Sequence, residues 1–303
     1  MKLKKLYAAA ATTILAGTLG LAQAGAMGVD PAQAAPQAPV SSLDTNGDGK
    51  IKQVSLGDSF AAVGSIKEID RDNLVCANSS DNYPNQLAEM IGADEFVDAT
   101  CGFAWSLNYS QPQLLSFRPA QGEMVTADTD LVTYTLGGND ENGSGSIAKC
   151  FGRWLTGLGP DCSDISKPTV QEQVSKLVER HVANFTDIRK RAPNARIIVM
   201  GYPKEASSEV RCLEDGFFTQ EDKAYIETAL DAYNQSLADA AAQTDAEYVA
   251  PPVSNGYCDP LATRLTTGFN PVTSILVNDA VPFHPTKEGH RQMAETIAQA
   301  ISA

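Results

Sequence analysis

Two distant stretches of the sequence carry side chains that could together perform nucleophilic catalysis. Ser59 follows a β-branched, alternating run that starts at Ile51 and stops at Gly57-Asp58. In open parallel α/β sheets, reactive groups gather outside the carboxyl ends of the strands, so this run would present Ser59 at a strand tip. A serine hydroxyl needs an adjacent base, usually histidine, and His284 lies just before the last amphipathic helix. The alternative is that Asp58 and Ser59 only cap the following helix.

Two further apolar runs end at residues that could stabilise a negatively charged oxygen. Gly102 follows the run 95–99, and Asn139 follows the run 130–136. An ester carbonyl oxygen gains negative charge in the tetrahedral transition state and needs two or three preorganised donors. The backbone N–H groups of Ser59 and Gly102 and the side-chain amide of Asn139 would provide them, since Gly102 also allows close approach. Taken singly, each residue fits ordinary turn chemistry.

The elements that must position these residues alternate between strand and helix. Short apolar runs predict strands at residues 51–56, 95–99, 130–136, 195–200 and 247–249. Helical spacing predicts helices at residues 83–91, 169–191, 221–244 and 286–302, with Thr286 as the N-cap of the last. This order predicts an α/β fold, a doubly wound three-layer sandwich around a mainly parallel five-stranded sheet. The Gly-rich region 141–168 is predicted to form a disulfide-pinned lid or wall.

Four short blocks in this order resemble the SGNH hydrolases, also called the GDSL family, and within it the secreted actinobacterial lipases and esterases with six cysteines. The matching residues are Gly57-Asp58-Ser59-Phe60, Gly102, Gly137-Gly138-Asn139-Asp140 and His284-Pro285. The resemblance covers residues 51–303. It implies the flavodoxin-like fold of that family, with Ser59 as nucleophile, Gly102 and Asn139 as oxyanion donors and His284 as base.

One position departs from the family pattern. Most members carry an Asp three residues before the histidine, whereas this chain has Val281 there. The imidazole must still be held in one tautomer by an acceptor at its other nitrogen. Some secreted relatives use a backbone carbonyl instead, so the carbonyl of Val281 or Pro282 is a candidate acceptor. Asp279 is the alternative, although it lies five residues before His284.

The first residues of the chain have the features of a secretory signal peptide. Met1 to Lys5 is basic, residues 6–21 form an uncharged Ala-rich run, and small-residue cleavage sites follow. We therefore expect residues 1–34 to be a signal peptide and a flexible tail, with cleavage between 24 and 35. Residues 35–303 are expected to form one secreted domain of the extracellular space or cell envelope.

Charge and composition limit the partners of this domain. The chain has 23 Lys and Arg against 37 Asp and Glu, a formal net charge of −14. This acidity argues against nucleic acid and against electrostatic docking on anionic lipid. We expect an acyl ester or lipid substrate, no cofactor, no catalytic metal, no stable membrane insertion after cleavage, and a monomer.

The six cysteines form an even set in a chain predicted to be secreted, without a C-x-x-C pair. Such a set indicates three disulfides, although six cysteines allow fifteen pairings. Pairing in sequence order would close three local loops on the connections of one sheet. We therefore predict Cys76–Cys101, Cys150–Cys162 and Cys212–Cys258.

Three other features are weaker signals. Asp44 to Ile51 matches the first half of a calcium-binding EF-hand loop, but Ser55 occupies the position of its bidentate Glu, which favours a solvated turn. His181 and His290 lie within predicted helices, and we interpret both as structural or solvated. The aromatic side chains that could line an acyl pocket, or simply pack, are Phe103, Trp105, Tyr109, Trp154 and Phe217.

Together these observations predict a secreted serine esterase or lipase that forms an acyl-enzyme on Ser59. A cell-envelope acyltransferase with the same Ser-His machinery is the nearest alternative, because only the acceptor of the acyl group differs. A catalytically silent envelope-binding protein that retains the fold is the other alternative.

Overall fold

A computed structural model describes residues 43–113, 117–140, 143–158, 161–162 and 170–303. The predicted signal peptide, tail and cleavage sites lie outside the described residues. Within them, one five-stranded sheet has the order β2-β1-β3-β4-β5. Its strands are β1 Lys52–Gly57, β2 Glu95–Asp98, β3 Leu131–Thr135, β4 Arg196–Met200 and β5 Glu247–Val249. Every strand pair is parallel.

The strand order places the candidate residues together. β1 lies between β2 and β3, with Gly57 opposite Thr135 at the last pair of the β1–β3 ladder. The chain leaves β1 and β3 toward opposite sides at this switch point, which opens a crevice at their carboxyl ends. Ser59 and Asn139 follow these two strands, so they emerge at the crevice.

Helices cover both faces of the sheet. The side chains of β1 and β3 are therefore buried on both faces, except for the partly exposed first residue of β1. The helices are α1 Ser59–Ala62, α2 Tyr83–Ile91, α3 Gly143–Thr156, α4 Val170–Arg191, α5 Gln220–Ala242 and α6 Lys287–Ser302. One apolar cluster joins α4 and α5 to one face, through Phe185 and Leu237 among others. A second joins α2 and α6 to the other face, through Leu87 and Ile297 among others. The predicted doubly wound three-layer α/β fold is confirmed.

Most predicted elements agree with the structure to within one or two residues. Thr286 is the N-cap of α6, where its hydroxyl accepts the N–H of Gly289 at 3.0 Å. Helix α3, however, occupies part of the region predicted as a lid or wall, and no helix was predicted there. Its sequence contains Gly143, Gly145 and Gly152, which weaken any helical signal, so the structure identifies a helix where the sequence indicated only a loop.

The disulfide prediction is confirmed for all six cysteines. The bonds are Cys76–Cys101, Cys150–Cys162 and Cys212–Cys258. None of the six cysteines lies on a strand of the sheet: Cys150 lies within α3, and the bonds join segments that connect the strands. Pairing in sequence order therefore follows from the position of the cysteines on neighbouring connections.

The segment from Asp44 to Lys50 forms a solvated turn, as predicted. Its carboxylate at Asp44 accepts the backbone N–H groups of Gly47, Asp48 and Gly49 at 2.7, 3.1 and 3.0 Å. Such side-chain to backbone bonds define Asx turns, and this one leads directly into β1. The carboxylate oxygens thus already serve backbone donors.

Candidate active site

Ser59 begins helix α1 immediately after the end of β1. The carboxylate of Asp58 caps this helix by accepting the N–H of Phe60 at 3.0 Å, and the N–H of Asp58 continues the sheet by bonding the Thr135 carbonyl at 2.9 Å. Gly57 is required for this turn, since a side chain there would lie 2.4 Å from Cβ of Ala61. The local sequence therefore presents a half-buried Ser59 at the tip of β1.

The carboxylate of Asp58 also ties three strand ends together. The Tyr202 hydroxyl, at the end of β4, donates to Asp58 at 2.6 Å, and the N–H of Gly138, after β3, donates to that hydroxyl at 2.9 Å. Burial raises the pKa of Asp58 to about 7, although the bonds from Tyr202 and Phe60 oppose this shift. Sequence reasoning missed the part played by Tyr202, whose only signal was its place at a predicted strand end.

Asn139 is buried in the loop after β3 and directs its amide toward the preceding loop. The Nδ2 group donates to the Ala104 carbonyl at 3.0 Å. A primary amide has two hydrogens on nitrogen, so one remains for a ligand oxygen. Its neighbour Asp140 fixes the same loop, because it accepts the N–H of Ser106 at 2.7 Å and pairs with Arg180 at 3.0 Å.

Gly102 lies beside this loop, but its backbone donor is already bonded. The N–H of Gly102 donates to the Cys76 carbonyl at 2.8 Å, and the N–H of Cys101 donates to the Gly57 carbonyl at 3.0 Å. A side chain at position 102 would lie 3.1 Å from the Cys76 oxygen. As an oxyanion donor, Gly102 would have to share this hydrogen with Cys76 or exchange one acceptor for the other.

His284 is oriented by a main-chain oxygen. Its Nδ1 lies 3.0 Å from the Pro282 carbonyl, which can only accept, so Nδ1 carries the proton and Nε2 has the free lone pair. The Val281 carbonyl instead accepts the Thr267 hydroxyl at 2.9 Å. Asp279 forms an ion pair with Lys67 at 3.3 Å. Of the three acceptors considered, the structure selects Pro282.

The ring of Phe60 lies between the candidate nucleophile and the candidate base in the chain of contacts that links them. This residue directly follows Ser59, and its ring centroid lies 5.2 Å from that of His284. Within the described part of the chain, neither the Ser59 hydroxyl nor Nε2 of His284 has a hydrogen-bond partner, so the two groups are not bonded to each other in this structure. In free enzymes the hydrogen bond between nucleophile and base is often long, and it shortens only in the substrate complex. Burial lowers the pKa of His284 below 6.5, although the bond to Pro282 opposes this, so the ring is neutral at neutral pH.

The other two histidines are structural. Nδ1 of His290 accepts the N–H of Tyr83 at 3.0 Å, and its Nε2 donates to the Val63 carbonyl at 2.8 Å. His181 is buried in α4 and bonds the Tyr134 hydroxyl at 2.9 Å. Burial lowers the pKa of His290 to about 4 and that of His181 to about 3.

The aromatic candidates separate into packing and exposed residues. Tyr109 is buried with its hydroxyl on Asp187, and Trp154 packs on Phe151 and Phe269. Phe103, Trp105 and Phe217 are exposed. One group of possible metal ligands, Cys212, Asp215 and Cys258, was found among the described residues, but its two sulfurs form a disulfide and offer no thiolate.

No helix among the described residues is sufficiently long and apolar to span a bilayer.

The chain is 31% identical over 294 residues to Lipase 2 of Streptomyces coelicolor, and the match covers 94% of this chain and 93% of that protein. It is 25% identical to a lipase of Streptomyces rimosus, over 78% of this chain and 81% of that protein.

Solved structures share the fold. The phospholipase A1 of Streptomyces albidoflavus superposes with a TM-score of 0.63 at 18% identity, and the extracellular lipase of Streptomyces rimosus with 0.63 at 21%. Each covers 84% of this chain and 100% of the solved chain. The family model described as GDSL-like Lipase/Acylhydrolase family matches residues 55–292, which include Ser59, Gly102, Asn139 and His284. The chain therefore belongs to the GDSL-like lipase/acylhydrolase family and is a carboxylic ester hydrolase.

Proposed function

We propose that the protein is a secreted serine esterase or lipase that cleaves acyl or lipid esters through an acyl-enzyme on Ser59. His284 acts as general base, and the backbone N–H groups of Ser59 and Gly102 together with Asn139 stabilise the oxyanion. The observation that carries this proposal is the 3.0 Å contact between Nδ1 of His284 and the Pro282 carbonyl. Because it fixes the Nδ1–H tautomer, it leaves Nε2 ready to accept a proton.

In the first half-reaction, Nε2 of His284 takes the hydroxyl proton as Ser59 attacks the ester carbonyl carbon. The carbonyl oxygen becomes negatively charged and receives hydrogen bonds from the free amide hydrogen of Asn139 and from the backbone donors. The tetrahedral intermediate then collapses, and the C–O bond to the alcohol breaks. His284 returns its proton to the leaving alkoxide, which leaves the acyl group on Ser59.

In the second half-reaction, His284 removes a proton from water, and the resulting oxygen nucleophile attacks the acyl-Ser59. The carboxylic acid leaves, and the proton returns to Ser59. The pKa of His284 lies below its ordinary value because of burial, so most molecules hold it neutral and competent at pH 7. In this chain the neutral Pro282 carbonyl takes the place of the Asp that orients the histidine in most family members. The catalytic pair is therefore a Ser-His dyad.

Secretion is part of the proposal. A basic start followed by an uncharged Ala-rich run supports cleavage between residues 24 and 35 during export. Three disulfides and no free cysteine among the described residues fit an oxidising compartment. The mature domain is proposed to act as a monomer.

The experiment is a turnover screen of the purified protein on p-nitrophenyl esters of increasing acyl length, with Ser59→Ala as the matched control. We expect hydrolysis by wild type and loss of nearly all turnover in a folded Ser59→Ala protein. Product analysis with and without an added polyol separates hydrolysis from acyl transfer. Acylated polyol as the main product would establish the transferase instead, and no ester cleavage would favour the binding protein.

A further inference from the structure

Exposed apolar side chains lie on Gly102's own loop and on two segments joined to it. We call this set the apolar rim. Its members and their exposed fractions are Leu74 (67%), Val75 (50%), Phe103 (73%), Trp105 (43%) and Phe117 (94%). Single exposed apolar residues are normal in soluble proteins, whereas a group of large ones beside a candidate site marks a surface for an apolar partner.

The loops that carry the rim are joined to each other and to the site. The Cys76–Cys101 disulfide crosslinks them, and the N–H of Gly102 donates to the Cys76 carbonyl at 2.8 Å. The side chain of Gln113 donates to the Gly102 carbonyl at 2.8 Å. Because Cys101 also bonds Gly57 at 3.0 Å, the rim is held at the strand end that presents Ser59.

Two rim residues have an unfavourable backbone conformation. Phe103 has a φ of 61° and Phe117 a φ of 54°, both in the left-handed region. Bulky side chains rarely adopt it, whereas glycine adopts it freely. Neither ring gains much burial in return, since both are mostly exposed. Strained backbone that is retained without a packing benefit points to a function of the side chain it presents.

The charge pattern indicates the chemistry of the partner. Residues 101–117 contain no Asp, Glu, Lys or Arg, although the chain has a net charge of −14. An anionic surface would repel the protein as a whole, and the cations near the rim are confined to its edges, at Arg71 and Arg118. An uncharged or zwitterionic surface avoids the repulsion and accepts the exposed rings.

We propose that the apolar rim docks the protein on the surface of an electrically neutral acyl-lipid aggregate. The rings of Phe103 and Phe117 enter the acyl boundary, and the adjacent strand end holds Ser59 beside the lipid esters. This inference rests on the proposed function, because the docked lipid is taken to carry the ester that Ser59 cleaves.

The test measures cosedimentation with phosphatidylcholine vesicles, using Ser59→Ala so that the lipid stays intact. Adding Phe103→Ser and Phe117→Ser should weaken binding at least tenfold, since each ring loses its contact with the acyl boundary. The matched control adds Leu213→Ser and Val253→Ser, which remove two side chains that are 103% and 100% exposed outside the rim. This control should bind like the parent, and phosphatidylglycerol vesicles should bind more weakly.

Tryptophan fluorescence provides an independent readout. The chain has two tryptophans, so Trp154→Phe leaves Trp105 as the single reporter. Its emission should shift to shorter wavelength on phosphatidylcholine vesicles and stay unchanged with the double rim variant. Phe117→Gly removes one ring and also relieves the backbone, so it should lower binding without lowering the melting temperature.

Several outcomes would overturn the inference. These are unchanged binding of the rim variant, an equal loss in the control, a preference for phosphatidylglycerol, or a lower melting temperature of Phe117→Gly. A rim-dependent dimer without lipid would assign the face to a second copy of the chain. Since binding is scored in an inactive variant, docking without esterase activity of wild type would remove the proposed function and leave the docking surface standing.

Discussion

Two histidines on either side of the start of the last helix have opposite surroundings. His284, on the loop before α6, uses Nδ1 to donate to the Pro282 carbonyl, and its Nε2 has no partner within the described residues. His290, in the first turns of α6, uses both nitrogens, accepting from Tyr83 and donating to Val63. The same side chain is therefore available for proton transfer in one place and fully committed to holding loops together in the other.

This difference shows why burial and pKa alone do not identify the base. Burial lowers the pKa of both rings, so both are neutral at pH 7. The hydrogen bonds separate them, because a base needs one nitrogen free. It also shows that a backbone carbonyl is sufficient to select the tautomer that proton abstraction requires.

The largest expected effect is that of His284→Ala. Without a base, turnover on a soluble ester should fall by a factor on the order of 10⁴ to 10⁶, as for other serine hydrolases that lose their histidine. Steady-state kinetics on p-nitrophenyl esters measures it.

The matched control is His290→Asn, whose side chain can still accept from Tyr83 but cannot reach Val63 in the same way. A buried carbonyl left without a donor costs about 1–3 kcal/mol, so the melting temperature should fall by several degrees. Turnover per folded molecule should remain near wild type. A comparable loss of turnover in both variants would break the distinction between the two histidines.

Asn139→Ala is expected to lower kcat by about 10²- to 10³-fold with little change in KM, since one oxyanion donor is lost. Asn184→Ala offers a control in the same network, because its amide bonds Ser106 and Tyr134 rather than a substrate oxygen. Steady-state kinetics should show a lower kcat for Asn139→Ala and a near wild-type kcat for Asn184→Ala. Thermal unfolding should show a loss of stability for Asn184→Ala. An unchanged kcat would remove Asn139 from the oxyanion site.

The pH profile should have an acid limb that reports His284. Activity requires the neutral ring, so kcat/KM falls about tenfold per pH unit once the pH drops below its pKa. Since burial lowers that pKa, the midpoint should lie below 6.5. A midpoint near 7 would point instead to Asp58, whose pKa burial raises to about 7.

Stability should have a separate pH dependence. The folded-state pKa of His290 is about 4, below its unfolded value of about 6.5, so the unfolded chain binds more protons between them. Stability is therefore full above pH 6.5 and falls as the pH drops toward 4, by up to about 1.4 kcal/mol per pH unit for this group. Urea unfolding at several pH values measures it, and His290→Asn should lose this part of the slope.

Asp279→Asn should have the smallest effect, at most a few-fold in turnover. Its carboxylate pairs with Lys67 at 3.3 Å rather than with His284. Removing the charge of a true triad aspartate would cost about 10⁴-fold. Kinetics of this variant therefore sharpens the assignment of Pro282 as the acceptor.

The five strands could be predicted because each is a short run of mostly apolar or β-branched residues that is followed closely by Gly, Pro or Asn. Helix α3 could not, since its glycines resemble a loop. The acceptor for His284 also stayed open in the sequence. It depends on a left-handed backbone at Phe283, with φ of 63°, which no pattern indicates because phenylalanine rarely adopts it.

The link from Asp58 through Tyr202 to Gly138 illustrates the same limit. Each residue ends a predicted strand or lies just beyond one, so the sequence places them at one edge of the sheet. Which side chain reaches which depends on tertiary distances of 2.6 and 2.9 Å that periodicity does not encode. The sequence thus indicated the neighbourhood of the site, and the structure supplied its hydrogen bonds.

The most direct measurement of the central claim is the rate of labelling by a fluorophosphonate probe, followed by peptide mapping of the adduct. The probe reacts with an activated serine hydroxyl. We predict one adduct on Ser59, labelling slowed by orders of magnitude in His284→Ala, and near wild-type rates in Asp279→Asn and in folded His290→Asn. An adduct on another residue, or labelling of Ser59 that does not depend on His284, would contradict the Ser59–His284 dyad.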